Sequence, residues 1–374
     1  MDSSKINKKF QVVFVSAVAD FKGGAEKCLQ QFMLNPEVSP VLIVPEEGEL
    51  SEYAKQQDIP VKIVAYGRVN DVHRPFKLAA LFYAGIDALK ASWKIKRFAK
   101  NIDADCIHSN GLKTHGILSL GYFFSRIPVI CHIHDIPYTS KERLFWKYLS
   151  WTTKRLLLVS KYCWINDSLP KNVKVIPNGI AISQKSLLQK SFENEIKIGF
   201  VGRIHPHKGL HLAIEWLIAA KAAGIKFQFF IRGEAALAEH EYLNQIKQTI
   251  FDAGLNDYCH FQGRILDYDK VYANIDISLM PSIIAEPFGL VAIESFDNGV
   301  PCFAYPSGAL PTIIEHGKSG YLCKHPADFV ESLFSLLTSV NHYNQIRTQA
   351  HEQLNNKFSL VSLYKKLDKE YASI

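Results

Sequence analysis

Short β-branched and apolar runs, bounded by turn residues, alternate along this chain with longer stretches of helical periodicity. In the first half these runs are Gln11–Ser16, Val41–Pro45, Val61–Val64, Cys106–His108, Val129–His132, Leu156–Ser160 and Val173–Ile176. In the second they are Ile196–Val201, Phe227–Arg232, Cys259–Gln262, Ile277–Met280, Pro301–Ala304 and Gly320–Cys323. Such alternation predicts an α/β fold whose parallel sheets are covered by helices on both faces. Helices are read at Leu210–Ala223 and Tyr242–Ala253, with Gly224 and Gly254 where helix stops are expected. No repeat of fixed short period is evident, which sets solenoids aside.

The rhythm breaks over Ala181–Asn194, rich in Ser, Lys and Gln, and then restarts. A domain usually takes roughly 100–200 residues, so a chain of 374 residues divides into two domains, 1–182 and 195–355, with the boundary near 182–194. The reading is of two Rossmann-like domains facing each other across a central cleft.

Composition narrows the class. With 48% apolar and 21% charged residues the chain reads as globular, not disordered or collagenous. The net charge of +7 sits in the first half, where residues 1–180 hold 25 Lys and Arg against 16 Asp and Glu. A basic half attracts nucleic acid, an anionic membrane or an anionic substrate, and charge alone does not choose among them. The seven cysteines are scattered singly without a C-x-x-C, which argues against a zinc site or a disulfide framework and for reduced, mostly buried thiols in a cytoplasmic setting. Lys5, Lys8 and Lys9 before the run Phe10–Val15, followed by Ala17-Val18-Ala19, imitate a signal peptide. The run is short and interrupted by Gln11, and a glycine turn follows, so it reads as a first buried strand. No stretch of ~20 apolar residues suggests a transmembrane helix.

Two motifs carry chemistry. In the first, the run Ile198–Val201 leads into Gly202, Arg203, Lys208 and Gly209 before a helix. Backbone N–H groups at a helix start and two cations can surround a diphosphate, Arg203 by a forked contact and Lys208 as a mobile charge. Taken alone, the same pattern also fits a solvated surface loop. In the second, the run Ile277–Met280 precedes Glu286, a Pro-Phe-Gly turn exposing the N–H groups of Phe288, Gly289 and Leu290, and a helix carrying Glu294. Carboxylates at the carboxyl edge of a parallel sheet suit sugars, because each accepts hydrogen bonds from adjacent hydroxyls. An ordinary helix start with glutamate near the positive dipole end is the plainer alternative.

In this order and within one domain, the two motifs resemble those of the family 4 retaining glycosyltransferases, which have the GT-B fold. The resemblance spans nearly the whole chain, adding G-G-A-E at Gly23–Glu26, H-I-H-D at His132–Asp135 and V-I-P-N-G-I at Val175–Ile180. It implies a nucleotide diphosphate sugar, UDP- or GDP-linked, as donor substrate. Arg203 and Lys208 would hold its diphosphate, Glu286 the sugar hydroxyls near C3 and C4, and Glu294 the ribose. The backbone of Gly202, Phe288, Gly289 and Leu290 would complete the donor contacts, His134 would lie by the sugar C6, and the Gly23–Gly24 loop would approach the phosphates. It also implies no cofactor and no metal, the basic clamp standing in for a divalent ion, and a last helix, within 356–374, packed back on the first domain. The acceptor would be a glycan or a lipid-linked oligosaccharide in cell-surface polysaccharide assembly, and no nucleic acid would be a partner. Two departures bear on the nucleotide: Arg232-Gly233-Glu234-Ala235 has one glycine where relatives often have two, and Ser307-Gly308-Ala309 has Gly-Ala for a glycine pair.

The stretch 141–155 and the segment Trp93–Phe98 mix aromatics with cations at helical spacing, with Phe145, Trp146 and Leu149 close on one face. This reads either as an interfacial helix on an anionic membrane or as a helix whose aromatic face packs in the core. His73, His108, His115 and His211 lack partner spacing and read as structural. Three rivals stay open: a nucleotide-sugar epimerase, a pyridoxal-dependent phosphorylase, and a binding module that does not turn its ligand over.

Overall fold

The computed structural model of the chain describes residues 9–21, 23–69, 78–121, 126–164, 168–183, 187, 189–190, 195–265 and 267–374. Lys5, Lys8, His73 and much of the 182–194 break lie outside the described residues. The chain forms two compact units, Met1–Gly179 with Leu360–Ile374, and Ile180–Ser359.

The first unit is built on strands β1 (Phe10–Ser16), β2 (Val38–Val44), β3 (Val61–Ile63), β4 (Cys106–Asn110), β5 (Val129–Ile133), β6 (Arg155–Leu158) and β7 (Val173–Val175). They pair in parallel in the order β3-β2-β1-β4-β5-β6-β7. Helices α1 (Gly24–Met33), α2 (Glu49–Gln56), α3 (Leu78–Asn101), α4 (Leu112–Leu120) and α5 (Ser140–Thr152) connect them. Val12 to Val15 are all fully buried, as expected of a central strand covered on both faces. The expected second strand began at Val41, but β2 begins at Val38 and takes in Pro40. Pro40 precedes the first residue paired with β3, so one flank of the strand is an edge there and a missing donor is tolerated. The α5 start is a capping box: Thr139 Oγ1 accepts from Glu142 N (3.2 Å) and Glu142 Oε2 accepts from Thr139 N (2.9 Å).

The last helix, α13 (Leu360–Ala372), belongs to this first unit. Tyr371 bonds His108 Nδ1 (2.7 Å), Arg155 bonds Glu370 (2.8 Å), and Asn35 donates to Asp368 (2.8 Å).

The second unit carries β8 (Ile196–Val201), β9 (Phe227–Arg232), β10 (Cys259–Gly263), β11 (Ile277–Met280), β12 (Cys302–Ala304) and β13 (Gly320–Leu322), all parallel, in the order β10-β9-β8-β11-β12-β13. Its helices are α6 (Leu210–Ala222), α7 (His240–Asp252), α8 (Tyr268–Val271), α9 (Leu290–Asp297), α10 (Leu310–Ile313), α11 (Pro326–Leu337) and α12 (Val340–Lys357). The core fills between the sheet and α6 and α11, where Trp216 stacks on Phe329 with ring centres 5.2 Å apart. Both sheets are therefore Rossmann-like. Each has a topological switch point, between β1 and β4 in the first and between β8 and β11 in the second, and such sheets bind ligands at the carboxyl ends of the switch-point strands.

Among the described residues no helix is long and apolar enough to cross a membrane. The seven cysteines are free thiols, all but Cys259 buried.

Candidate functional site

At the second switch point, β8 is followed by Gly202, whose φ of +148° favours glycine, and the chain passes to Arg203, which is exposed. The ladder with the β9 side runs past the strand ends: Gly202 N donates to Arg232 O (3.1 Å) and Ile204 N to Glu234 O (2.9 Å). The single glycine after β9 makes this possible, because a Cβ on Gly233 would stand 1.7 Å from Gly202 O. A short turn over Pro206–Lys208 then meets Gly209, with φ +71°, at the start of α6. A Cβ on Gly209 would stand 1.9 Å from Pro281 O, so the lysine turn is pressed onto the loop that follows β11. Ile283 N donates to His207 O (3.2 Å) and ties the two loops together.

That contact brings Lys208 to Glu286. Lys208 Nζ stands 2.5 Å from Glu286 Oε1, and Ser282 Oγ donates to the same oxygen at 2.6 Å. Both contacts fall on Oε1 of a carboxylate whose side chain is only 11% exposed. Ser307 Oγ donates to Ser282 O (2.7 Å), and Ala309 N donates to Glu286 O (2.9 Å). Gly308, with φ +54°, lets this happen, since a Cβ there would lie 2.3 Å from Glu286 O. Ser282, Ser307 and Gly308 are positioning residues not read from the sequence as such. The hint available was the departure at 307–309, whose glycine serves the backbone of Glu286.

The Pro-Phe-Gly turn ends in Gly289, with φ +110°, which caps α9. The N–H groups of Phe288, Gly289 and Leu290 stand at a helix start, where intrahelical acceptors are lacking. The Phe288 ring is buried against Phe358, which leaves its backbone as the part of the residue a ligand could meet. Glu294 lies on α9 and is 8% exposed.

Gly209→Ala should lower unfolding free energy by about 3 kcal/mol, through its left-handed φ and the clash with a backbone carbonyl. Urea denaturation measures this; an unchanged midpoint contradicts the packing described.

At the first switch point, Gly23 caps α1 and its N–H donates to Glu26 Oε2 (2.8 Å). Its φ of −174° is ordinary extended backbone, and a Cβ there would meet nothing closer than Glu26 at 3.9 Å, so the fold does not require glycine at 23. Gly24 begins α1. His134 follows β5, and its Nε2 stands 2.8 Å from Asn110 Oδ1. The Asn110 amide is oriented by its own donor, Nδ2 giving a bond to Ala25 O (3.0 Å) in the first turn of α1. With Oδ1 thus an acceptor, the neutral His134 carries its proton on Nε2 and presents a lone pair at Nδ1. Burial lowers the His134 pKa to about 4, so the ring is neutral at neutral pH. Asn110 was not read from the sequence, where the fourth strand was taken to stop at His108; β4 runs on through the buried polar pair Ser109-Asn110. Asn110→Asp, which places a carboxylate beside Nε2, should move the His134 titration upward; histidine 15N shifts read it, and an unmoved titration contradicts the contact.

Behind His134 the other histidines are structural. His132 stacks on Phe32 (4.7 Å) and His134 (4.8 Å), and His115 bonds Ser109 (2.8 Å) and His132 O (3.1 Å). His205 is half-buried and its Nδ1 accepts from His207 N, while His207 is exposed. Among the described residues no group of three His, Cys, Asp or Glu side chains could hold a metal ion.

The helix α5 answers the question left open for 141–155. Trp146 and Leu149 are buried, and Trp146 Nε1 donates to Cys163 O (3.0 Å), so the face that carries them packs inward and is not interfacial. Leu144 and Trp151 are exposed instead.

Two family models match the chain, one described as Glycosyltransferase Family 4 over residues 40–184 and one described as Glycosyl transferases group 1 over residues 184–353. An uncharacterized 41.2 kDa protein in the cps region of Klebsiella pneumoniae is 28% identical over 223 residues, which is 56% of this chain and 58% of that protein. The chain thus spans under two thirds of that relative. The uncharacterized glycosyltransferase MJ1178 of Methanocaldococcus jannaschii is 27% identical over 274 residues, covering 69% of this chain and 72% of its own. Among solved structures, Anabaena Alr3699/HepE in complex with UDP-glucose shares the fold with a TM-score of 0.78 at 21% identity, covering 97% of this chain and 100% of that one.

Proposed function

Because this chain belongs to the family 4, group 1 glycosyltransferases of GT-B fold, we propose that it moves a hexose from a nucleotide diphosphate sugar to a glycan or lipid-linked acceptor. The observation that carries the reading is the cluster at the second switch point, where two backbones locked by Gly209 and Gly308 hold Lys208 and Glu286 together. In this reading the C1–O bond to the diphosphate breaks, a new C1–O bond to the acceptor forms on the same face, and the departing phosphate oxygen takes the acceptor's proton. The leaving diphosphate gains charge, which Arg203 and Lys208 stabilise together with the N–H groups of Phe288, Gly289 and Leu290. An ammonium has three donors, so Lys208 can hold Glu286 and a phosphate oxygen at once. That leaves Glu286 Oε2 for the sugar hydroxyls, with Glu294 on the ribose and Gly202 giving the close backbone approach.

His134 Nδ1, an acceptor by the tautomer that Asn110 imposes, suits a sugar hydroxyl. Gly23 has no structural reason to be glycine, and the room beside its α-carbon suits the approach of a phosphate at the start of α1, where Gly24 follows. The basic pair supports metal-independent transfer. A UDP-glucose complex of a protein of the same fold supports a UDP-linked donor, GDP remaining the other candidate, and the setting that suits a lipid-linked acceptor is cell-surface polysaccharide assembly on the cytoplasmic side of a membrane.

A nucleoside-diphosphate release assay over a panel of UDP- and GDP-sugars, with and without EDTA and with membrane lipid extract as acceptor source, tests this. Release from one donor, undiminished by EDTA and raised by the extract, is the expected result. Binding of a donor without release overturns the transferase reading in favour of a binding protein, and conversion of the donor sugar without acceptor favours an epimerase.

A further inference from the structure

The first unit has a concave site at the end of its sheet opposite Asn110 and His134. It is an open groove of about 1250 Å³ where β5 and β6 begin, between the ends of α3 and α5. Among the described residues six cations line it, Lys96, Arg97, Lys100, Arg126, Lys154 and Arg155, and none of the lining residues is acidic. The strand β5 rises roughly 3.3 Å per residue, which separates the groove at Val129 from His134 by roughly 16 Å. One anion cannot fill both.

Lys96 is the unusual member. It is 3% exposed, and its Nζ donates to Gly121 O at 2.5 Å. Burial lowers its pKa to about 8. An ammonium drawn out of water against a carbonyl gains most from an anion brought beside it. Of the six cations Arg155 is held by Glu370 (2.8 Å) and Arg97 lies over the Trp93 ring (5.0 Å).

Two exposed indoles, Trp93 and Trp151, stand at the rim. Each continues an exposed apolar stripe: Ile86, Leu89 and Trp93 follow at i, i+3 and i+7 on α3, ahead of Arg97 and Lys100, and Leu144 precedes Trp151 by seven residues on α5. Tryptophan and leucine beside lysine and arginine match a lipid interface, where the rings seat at headgroup level and the cations meet phosphate. Nucleic acid would use the cations but leave Leu89 and Leu144 in water.

We propose that this groove docks the protein on an anionic bilayer, seating lipid headgroup phosphate among the cations with Trp93 and Trp151 in the interface. The inference extends the reading of a lipid-linked acceptor to a defined surface, yet it rests on the groove alone and stands even if no sugar donor is turned over.

The test is sedimentation of the full chain with vesicles of phosphatidylcholine and with vesicles of phosphatidylcholine and phosphatidylglycerol in equal parts, at low and high salt. The expected result is binding to the mixed vesicles only, weakened by salt. It should fall at least about tenfold in the double variant Arg97→Glu, Lys100→Glu and several-fold in Trp151→Ser. Far-UV circular dichroism unchanged from wild type shows that the variants fold. Equal binding to neutral vesicles, or wild-type binding by the double variant, overturns the proposal. So does binding of inorganic phosphate or of a single-stranded RNA oligomer without any vesicle binding, which makes the groove a free-anion or a nucleic-acid site.

Discussion

Lys208→Met is expected to lower kcat/KM for the donor about 100- to 1000-fold, the usual loss when one fixed donor to a developing oxyanion is removed. The substitution keeps the unbranched stem and removes only the charge, so the turn over Pro206–Lys208 and the approach of Gly209 to Pro281 O stay in place. Glu286 then retains the Ser282 bond but loses its ion-pair partner, and a largely buried carboxylate so stripped should cost about 1 kcal/mol or more of stability. The two effects separate cleanly: a folded, slightly less stable protein with little turnover. Glu286→Gln keeps an oxygen for Ser282 but exchanges a charged acceptor for an amide, and should raise KM for the nucleotide sugar more than it raises Kd for the free nucleoside diphosphate. Steady-state kinetics on both variants, with urea unfolding alongside, is the check. Near wild-type kcat/KM in Lys208→Met contradicts the clamp.

The second large effect is acid lability. Burial first, and neighbouring histidines second, lower the pKa of His108 and of His115 to about 3, and burial lowers that of His134 to about 4. His132 is likewise held well below 6.5 by burial and by its histidine neighbours. A histidine whose folded pKa lies below its unfolded value favours the folded state fully above the unfolded value, near 6.5, and that stability drains as pH falls toward the folded value. At pH 5 the loss is about 2 kcal/mol for each group that stays neutral in the fold while its unfolded form is protonated. Four such groups in one unit approach the whole stability of an ordinary domain. Urea midpoints measured at pH 7.5 and pH 5 should therefore differ by several kcal/mol in unfolding free energy. His132→Phe, which keeps a ring between Phe32 and His134, should reduce the slope by about one proton. A midpoint that does not move with pH contradicts the neutral, buried cluster.

Much of the fold was legible because both sheets are parallel and covered on both faces, so their strands show as contiguous apolar runs and each expected run overlaps a strand. Strand ends were less legible, for a physical reason that matters at the site. Ser109 and Asn110 continue β4 as buried polar residues satisfied by Thr114, Ala25 and His134, and a hydrophobic pattern stops before them. Arg203, Lys208 and Glu286 could be named as candidate ligand contacts from residue type and order. The Lys208–Glu286 contact could not, since it joins residues 78 apart through two loops locked by backbone approaches at Gly209 and Gly308. The face of α5 stayed open for a similar reason: Trp146 finds a carbonyl at Cys163 and turns inward, while Trp151, near the helix end, stays outside, and helical spacing alone shows neither.

The central claim is that the loop after β8 holds a diphosphate, and calorimetric titration with UDP, GDP and the two matching nucleosides tests it most directly, on wild type and on the double variant Arg203→Ala, Lys208→Ala. The account predicts that one diphosphate binds the wild type, that the double variant loses at least about 100-fold in its affinity, and that the weaker binding of the matching nucleoside is the same in both proteins. Diphosphate binding of equal strength in the two proteins would contradict it.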